Sequence, residues 1–172
     1  MLGLLIAVAA LNPFGHVNDF AHLLRPETVT QLETSLKDFE KQTGAEIAVV
    51  TIDTHGPDET IETYAVKLFE KWGIGKVKED NGLLLLIARD DREMRIEVGY
   101  GLEPAITDNE SGHIINDILV PVFKENRYDE GIITAVSRIT GDIVNGTPLN
   151  FESPRRGEEF VTRKISKWIA QY

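Results

Sequence analysis

The residues best suited to chemistry are acidic and lie near glycine turns. Asp80, Glu103 and Asp108 offer hard carboxylate oxygens, and Asn81 adds an amide carbonyl. Such oxygens, completed by backbone carbonyls and water, are the ligand set of Ca²⁺ or Mg²⁺. Asp19 joins this candidate set if the fold carries its segment to the same place. Each residue also has a plainer role. Asp80 and Asn81 suit a turn, Asp108 suits a helix start, and Glu103 suits a solvated surface. A second acidic group, Asp90 and Asp91 with Asp53, ranks below the first. The carboxyl ends of parallel strands usually bind ligands, which favours this second group. A charged hairpin tip nevertheless needs no function.

Other chemistries find little support. The chain has no cysteine, which excludes a disulfide scaffold, a thiol nucleophile and a thiolate zinc site. His16, His22, His55 and His113 are scattered without metalloprotease spacing. The serines lack a nucleophile-elbow context, and neither Gly99-Tyr100-Gly101 nor Gly73-Ile74-Gly75 is a nucleotide loop. A formal net charge of −10 argues against nucleic-acid binding.

The elements that would position the acidic set are legible. Residues 83–88 (LLLLIA) follow Asp80-Asn81-Gly82 and read as a strand buried on both faces. Arg89-Asp90-Asp91-Arg92 has hairpin-tip composition. Residues 94–98 (MRIEV) alternate as a half-exposed return strand. An antiparallel return brings the chain back to the end it left. Asp80, Asn81, Gly99-Tyr100-Gly101, Glu103 and Asp108 should therefore share one end of the sheet, with Asp90 and Asp91 at the other. Thr107-Asp108-Asn109-Glu110 matches a capping box.

Elsewhere, Pro26 opens a helix carrying Val29, Leu32, Leu36 and Phe39, which Gly44 stops. Residues 47–52 read as a buried strand. Gly56-Pro57-Asp58 opens a second helix reaching Trp72, and residues 76–79 read as a mobile charged loop. A third helix over 108–126 should kink or end at Pro121, and a fourth begins at Tyr128 and closes at Asn145-Gly146. Residues 13–19 read as irregular. The whole predicts an α/β fold, a three-layer α/β/α sandwich around a small mixed sheet with a parallel crossover and an antiparallel hairpin strand.

At 172 residues, 42% hydrophobic and 27% charged, the chain suits one soluble domain. Residues 1–12 read as a signal-peptide remnant or disordered leader, because 2–11 are apolar but too short to span a bilayer. Residues 13–146 form the domain. Residues 147–172 read as a Pro- and Ser-containing linker and a C-terminal helix that docks on the domain, pairs with another chain or lies on a membrane surface, docking being the plainest of the three. No transmembrane segment is expected.

Several motifs occur along the chain in order: Val17-Asn18-Asp19-Phe20-Ala21, Thr43-Gly44-Ala45-Glu46-Ile47-Ala48-Val49-Val50, Trp72-Gly73-Ile74-Gly75, Asp80-Asn81-Gly82-Leu83-Leu84-Leu85, Arg95 through Glu103, and Thr107-Asp108. Together they resemble the TPM-domain family. The resemblance spans residues 17–146. It implies an α/β/α sandwich in an exported or membrane-tethered setting. It also implies divalent-cation binding in some relatives, acid-phosphatase activity in plant thylakoid-lumen relatives, and accessory or assembly roles in others. It supplies no catalytic signature for this chain.

The function expected is an exported, periplasmic or cell-envelope accessory domain that binds Ca²⁺ or Mg²⁺ and contacts envelope or membrane-associated proteins. One alternative is a metal-assisted phosphoester hydrolase using Asp80 or Asp108, with Arg95 as the nearest cation. The other is an interaction domain with no ligand.

Overall fold

A computed structural model describes residues 11–146. The elements in order are β1 (Val17–Asp19), α1 (Pro26–Thr43), β2 (Glu46–Ile52), α2 (Ile61–Trp72), β3 (Gly82–Ala88), β4 (Glu93–Val98), α3 (Asp108–His113), a π-helical segment (Ile114–Leu119), α4 (Val120–Phe123) and α5 (Tyr128–Gly146). The strands lie side by side in chain order, with β1, β2 and β3 parallel and β4 antiparallel to β3.

The β3 sequence explains the layers. Every residue of this strand is buried. Leu83, Leu85 and Ile87 enter the core shared with α1, the π-helical segment and α5, whereas Leu84, Leu86 and Ala88 enter the core beneath α2. Successive side chains leave a strand on opposite faces, so an unbroken apolar run needs a cover on each side. Transfer of each fully buried leucine contributes about 2 kcal/mol. The register aligns Val17, Val49, Leu85 and Ile96 in one row across the sheet. All four belong to the core on the α1 and α5 side. The three-layer mixed sheet expected from the sequence is therefore present.

Three local expectations change. Residues 17–19 form a strand where the sequence reads as irregular. Three residues are too few to display a period; pairing with β2 specifies this strand. Helix α2 begins at Ile61, after residues 56–58. Its start is set by Thr60, whose hydroxyl accepts the Thr63 N–H while the Thr63 hydroxyl accepts the Thr60 N–H.

The helix entering Pro121 does not break. It widens into the π-helical segment, in which Val120 N–H donates to the Ile115 carbonyl. Proline has no N–H to offer the carbonyl four residues back, and the wider turn accommodates that loss. Helical structure continues to Phe123 rather than to 126. The Phe123 ring then lies edge-on to Tyr128, with centroids 5.0 Å apart. Its seat is Gly131 of α5, where a Cβ would stand 2.8 Å from the Phe123 ring.

Leu11 is buried beneath α2, and its carbonyl accepts from Trp72 Nε1 at 3.1 Å. The rest of the apolar start and the linker and helix expected over 147–172 lie outside the described residues. No described helix is long and apolar enough to cross a membrane.

Candidate functional site

The hairpin return places Asp80 against the turn that follows β4. Gly101 N–H donates to the Asp80 carbonyl at 2.9 Å, and Tyr100 N–H donates to Asp80 Oδ2 at 3.0 Å. Asp80 itself adopts a left-handed backbone, φ 45°, a conformation that aspartate tolerates better than most residues. The glycines beside it serve close approach. A Cβ at Gly99 would lie 2.8 Å from Asp80 Oδ1, and one at Gly101 would collide with the Glu79 carbonyl oxygen. The turn is thus tightly packed against Asp80.

From this turn the chain coils closely toward α3. Leu102 N–H donates to the Gly99 carbonyl, and Ala105 and Ile106 N–H both donate to the Leu102 carbonyl. Leu102 and Ile106 are buried as anchors. Between and beyond them Glu103 and Asp108 are exposed. Thr107 is the helix cap, its hydroxyl accepting the Glu110 N–H at 3.2 Å. Asp108 follows as the first helical residue, where its charge favours the helix N-terminus. Tyr100 presents its ring to solvent at 79% exposure.

The antiparallel return brings Asp80 beside the 99–101 turn, and Glu103 and Asp108 follow along the coil that leaves that turn. They do not form a cage. Among the described residues, no group of three His, Asp or Glu side chains could hold a metal ion. Asn81 belongs to the scaffold: its Oδ1 accepts Lys76 N–H at 2.9 Å and its Nδ2 donates to the Gly44 carbonyl at 2.7 Å. It is buried and joins the end of α1 to the loop preceding β3.

Asp19 is separated from this group. It pairs across β1 and β2 with Thr51, which pairs with Ile87 near the far end of β3. Five residue steps along β3 separate Ile87 from Gly82, about 17 Å. Asp19 Oδ1 accepts Leu23 N–H at 3.0 Å and the Thr51 hydroxyl at 2.5 Å, and Oδ2 accepts Leu24 N–H at 2.9 Å. Its carboxylate thus organises the 20–24 turn instead of joining the Asp80 rim. The physical reason is the β1–β2 parallel register, which was not legible locally.

At that opposite end the second acidic group is internally paired. Arg89 holds Asp53 at 2.7 Å and Asp90 at 2.8 Å. The Arg89 hydrogen bond and charge hold the Asp90 carboxyl below its ordinary value. Asp91 accepts the Thr54 hydroxyl and the His55 N–H. His55 Nε2 meets Glu93 at 2.8 Å. Burial pushes the imidazole pKa down, but the Glu93 hydrogen bond, the Asp91 charge, the Gly56 carbonyl and the Glu93 charge together raise it overall. The sequence reading missed this histidine because its acidic partners come from the hairpin. Arg95, the cation considered for phosphate, pairs with Glu97 at 3.2 Å.

The chain matches the model described as the TPM domain over residues 17–142. The solution structure of the N-terminal domain of a P. gingivalis protein is similar, at 30% identity and TM-score 0.74, covering 81% of this chain and 92% of that one. BA42 from the psychrophilic bacterium Bizionia argentinensis shares the fold at 20% identity and TM-score 0.61, covering 73% and 85% respectively. The N-terminal domain of the cg2496 protein from Corynebacterium glutamicum does so at 16% identity and TM-score 0.57, covering 83% and 86%. No curated protein matches the chain.

Proposed function

The chain belongs to the TPM-domain family, and on that premise we propose that it is an accessory interaction domain of the cell envelope whose contact surface is the Asp80 rim. One observation carries this reading: Tyr100 is 79% exposed on a turn that Asp80 holds in place. An exposed tyrosine on a turn held by backbone and carboxylate hydrogen bonds supplies contact area with little ordering cost, as aromatic interface anchors do. Glu103 and Asp108, exposed carboxylates with no ion-pair partner among the described residues, follow it in the same stretch of chain. The apolar sequence over residues 2–11 supports export, with envelope or membrane-associated proteins as partners.

A hydrated divalent cation, Ca²⁺ or Mg²⁺, is the ligand proposed for the rim. The residues do not fit a protein cage. They suit an ion that keeps several waters and takes one or two carboxylates, a mode in which Mg²⁺ is commonly held. Binding of this type is weak by itself and strengthens when a partner contributes further oxygens.

The test is titration of the full chain with CaCl₂ and MgCl₂ at constant ionic strength, followed by amide shifts. Saturable shifts at Asp80, residues 99–103 and Asp108 are expected, with loss in Asp80→Ala and reduction in Asp108→Asn. Uniform small shifts without saturation would remove the cation and leave a ligand-free interaction domain. Phosphoester hydrolysis is the weaker reading because Arg95 is already paired with Glu97. Metal-dependent turnover abolished by Asp80→Ala would restore it.

A further inference from the structure

A cleft of about 400 Å³ lies at the end of the sheet opposite the Asp80 rim. That volume is in the lower part of the range for small-molecule sites. Its apolar wall comes from three elements: Ile87 and Met94 of the hairpin, Leu23 of the turn held by Asp19, and Val120 and Phe123 of the helix beyond the π-helical segment. Arg92 and Lys124 stand at its mouth.

The charge balance at the mouth is specific. Neither the Arg92 nor the Lys124 side chain has an ion-pair or hydrogen-bond partner among the described residues. Nearby acids are already committed elsewhere: Glu93 to His55, Asp53 and Asp90 to Arg89, Asp129 to Arg25, and Glu125 and Glu130 to Arg127. Two uncompensated cations thus border an apolar cleft in a chain of net charge −10. The backbone turns sharply there. Arg92 and Asn126, both lining the cleft, have left-handed φ values of 57° and 58°. Asparagine adopts that region readily just past a helix, whereas for arginine it is uncommon.

We propose that this cleft binds a small amphipathic carboxylate, with its alkyl or aryl body against Ile87, Met94 and Phe123 and its carboxylate between Arg92 and Lys124. Charge complementarity selects the head group, and the apolar wall selects a ligand larger than a free inorganic anion. A guanidinium and an ammonium form charge-assisted hydrogen bonds with a carboxylate. This site is independent of the Asp80 rim and stands or falls separately.

Octanoate is the probe. Titrated into the full chain, it should saturably shift the amides of Ile87, Met94 and Phe123 while leaving those of residues 99–103 unchanged. Acetate, which lacks the apolar body, and 1-octanol, which lacks the charge, should each bind at least ten-fold more weakly. The double variant Arg92→Gln/Lys124→Gln alters only exposed side chains and should retain the wild-type spectrum elsewhere while weakening octanoate at least five-fold. Lys76→Gln/Lys78→Gln, on the opposite end, should leave its affinity unchanged. The proposal is overturned if octanoate produces no saturable shifts at the cleft, if octanol binds as tightly, or if the double cleft variant binds octanoate like wild type.

Discussion

The Asp19 carboxylate accepts the Thr51 hydroxyl at 2.5 Å across the β1–β2 edge while its two oxygens also receive the Leu23 and Leu24 N–H groups. One side chain therefore terminates β1, turns the chain and fixes Leu23 at the wall of the cleft. Thr51 is fully buried, so its hydroxyl depends on Asp19 as its acceptor.

Asp19→Ala should destabilise the domain by about 2–3 kcal/mol, the scale for hydrogen bonds to a charged group with buried donors left behind. Urea unfolding measures this directly. Cation-induced shifts at residues 99–103 should persist in the variant, because Asp19 is remote from that rim. Their loss with the fold intact would return Asp19 to the ion site.

Asn81→Ala should cost about 1–3 kcal/mol, since Lys76 N–H and the Gly44 carbonyl each lose their partner. The effect should appear in hydrogen exchange as faster opening at Lys76 and at the α1–β2 junction. If stability and exchange both match wild type, the bracing role is wrong.

Gly101→Ala and Gly112→Ala should diverge. At Gly101 a Cβ meets the Glu79 carbonyl, whereas at Gly112 it meets open space. The first should destabilise by about 1–3 kcal/mol through forced backbone movement. The second, within α3, should be neutral or stabilising by up to about 1 kcal/mol through helix propensity. Thermal melts of the two single variants, compared with wild type, check the contrast.

His55 should make stability depend on pH. Its folded pKa is raised from 6.5: burial acts downward but is outweighed by Glu93, Asp91 and the Gly56 carbonyl. The protonated form is thus favoured in the fold. Its stabilisation is fully present below the unfolded value near 6.5 and is lost as pH rises through the folded value. The melting-temperature difference between wild type and His55→Gln should be larger at pH 5.5 than at pH 8.5. A difference that grows with pH would contradict the assignment.

Much of the architecture was readable because its signals are local. The run over 83–88 declares burial on both faces, Pro26 and Gly44 bracket α1, and the 94–98 alternation marks β4. The hairpin alone brings Asp80 beside Gly99 and Tyr100, since a short antiparallel return admits few other arrangements. The family resemblance rested on the same ordered motifs.

Other features required elements distant in sequence to meet. The β1–β2 register sent Asp19 to the far end, and packing turned Asn81 from a candidate ligand into a brace. The gathering of Arg92 and Lys124 depended on how the helix beyond Pro121 lies across the hairpin tip. Periodicity records which face of an element avoids water, and turn residues record where the chain reverses. Neither records which surface of one element is offered to another; that is decided when close packing and hydrogen-bond satisfaction are met together.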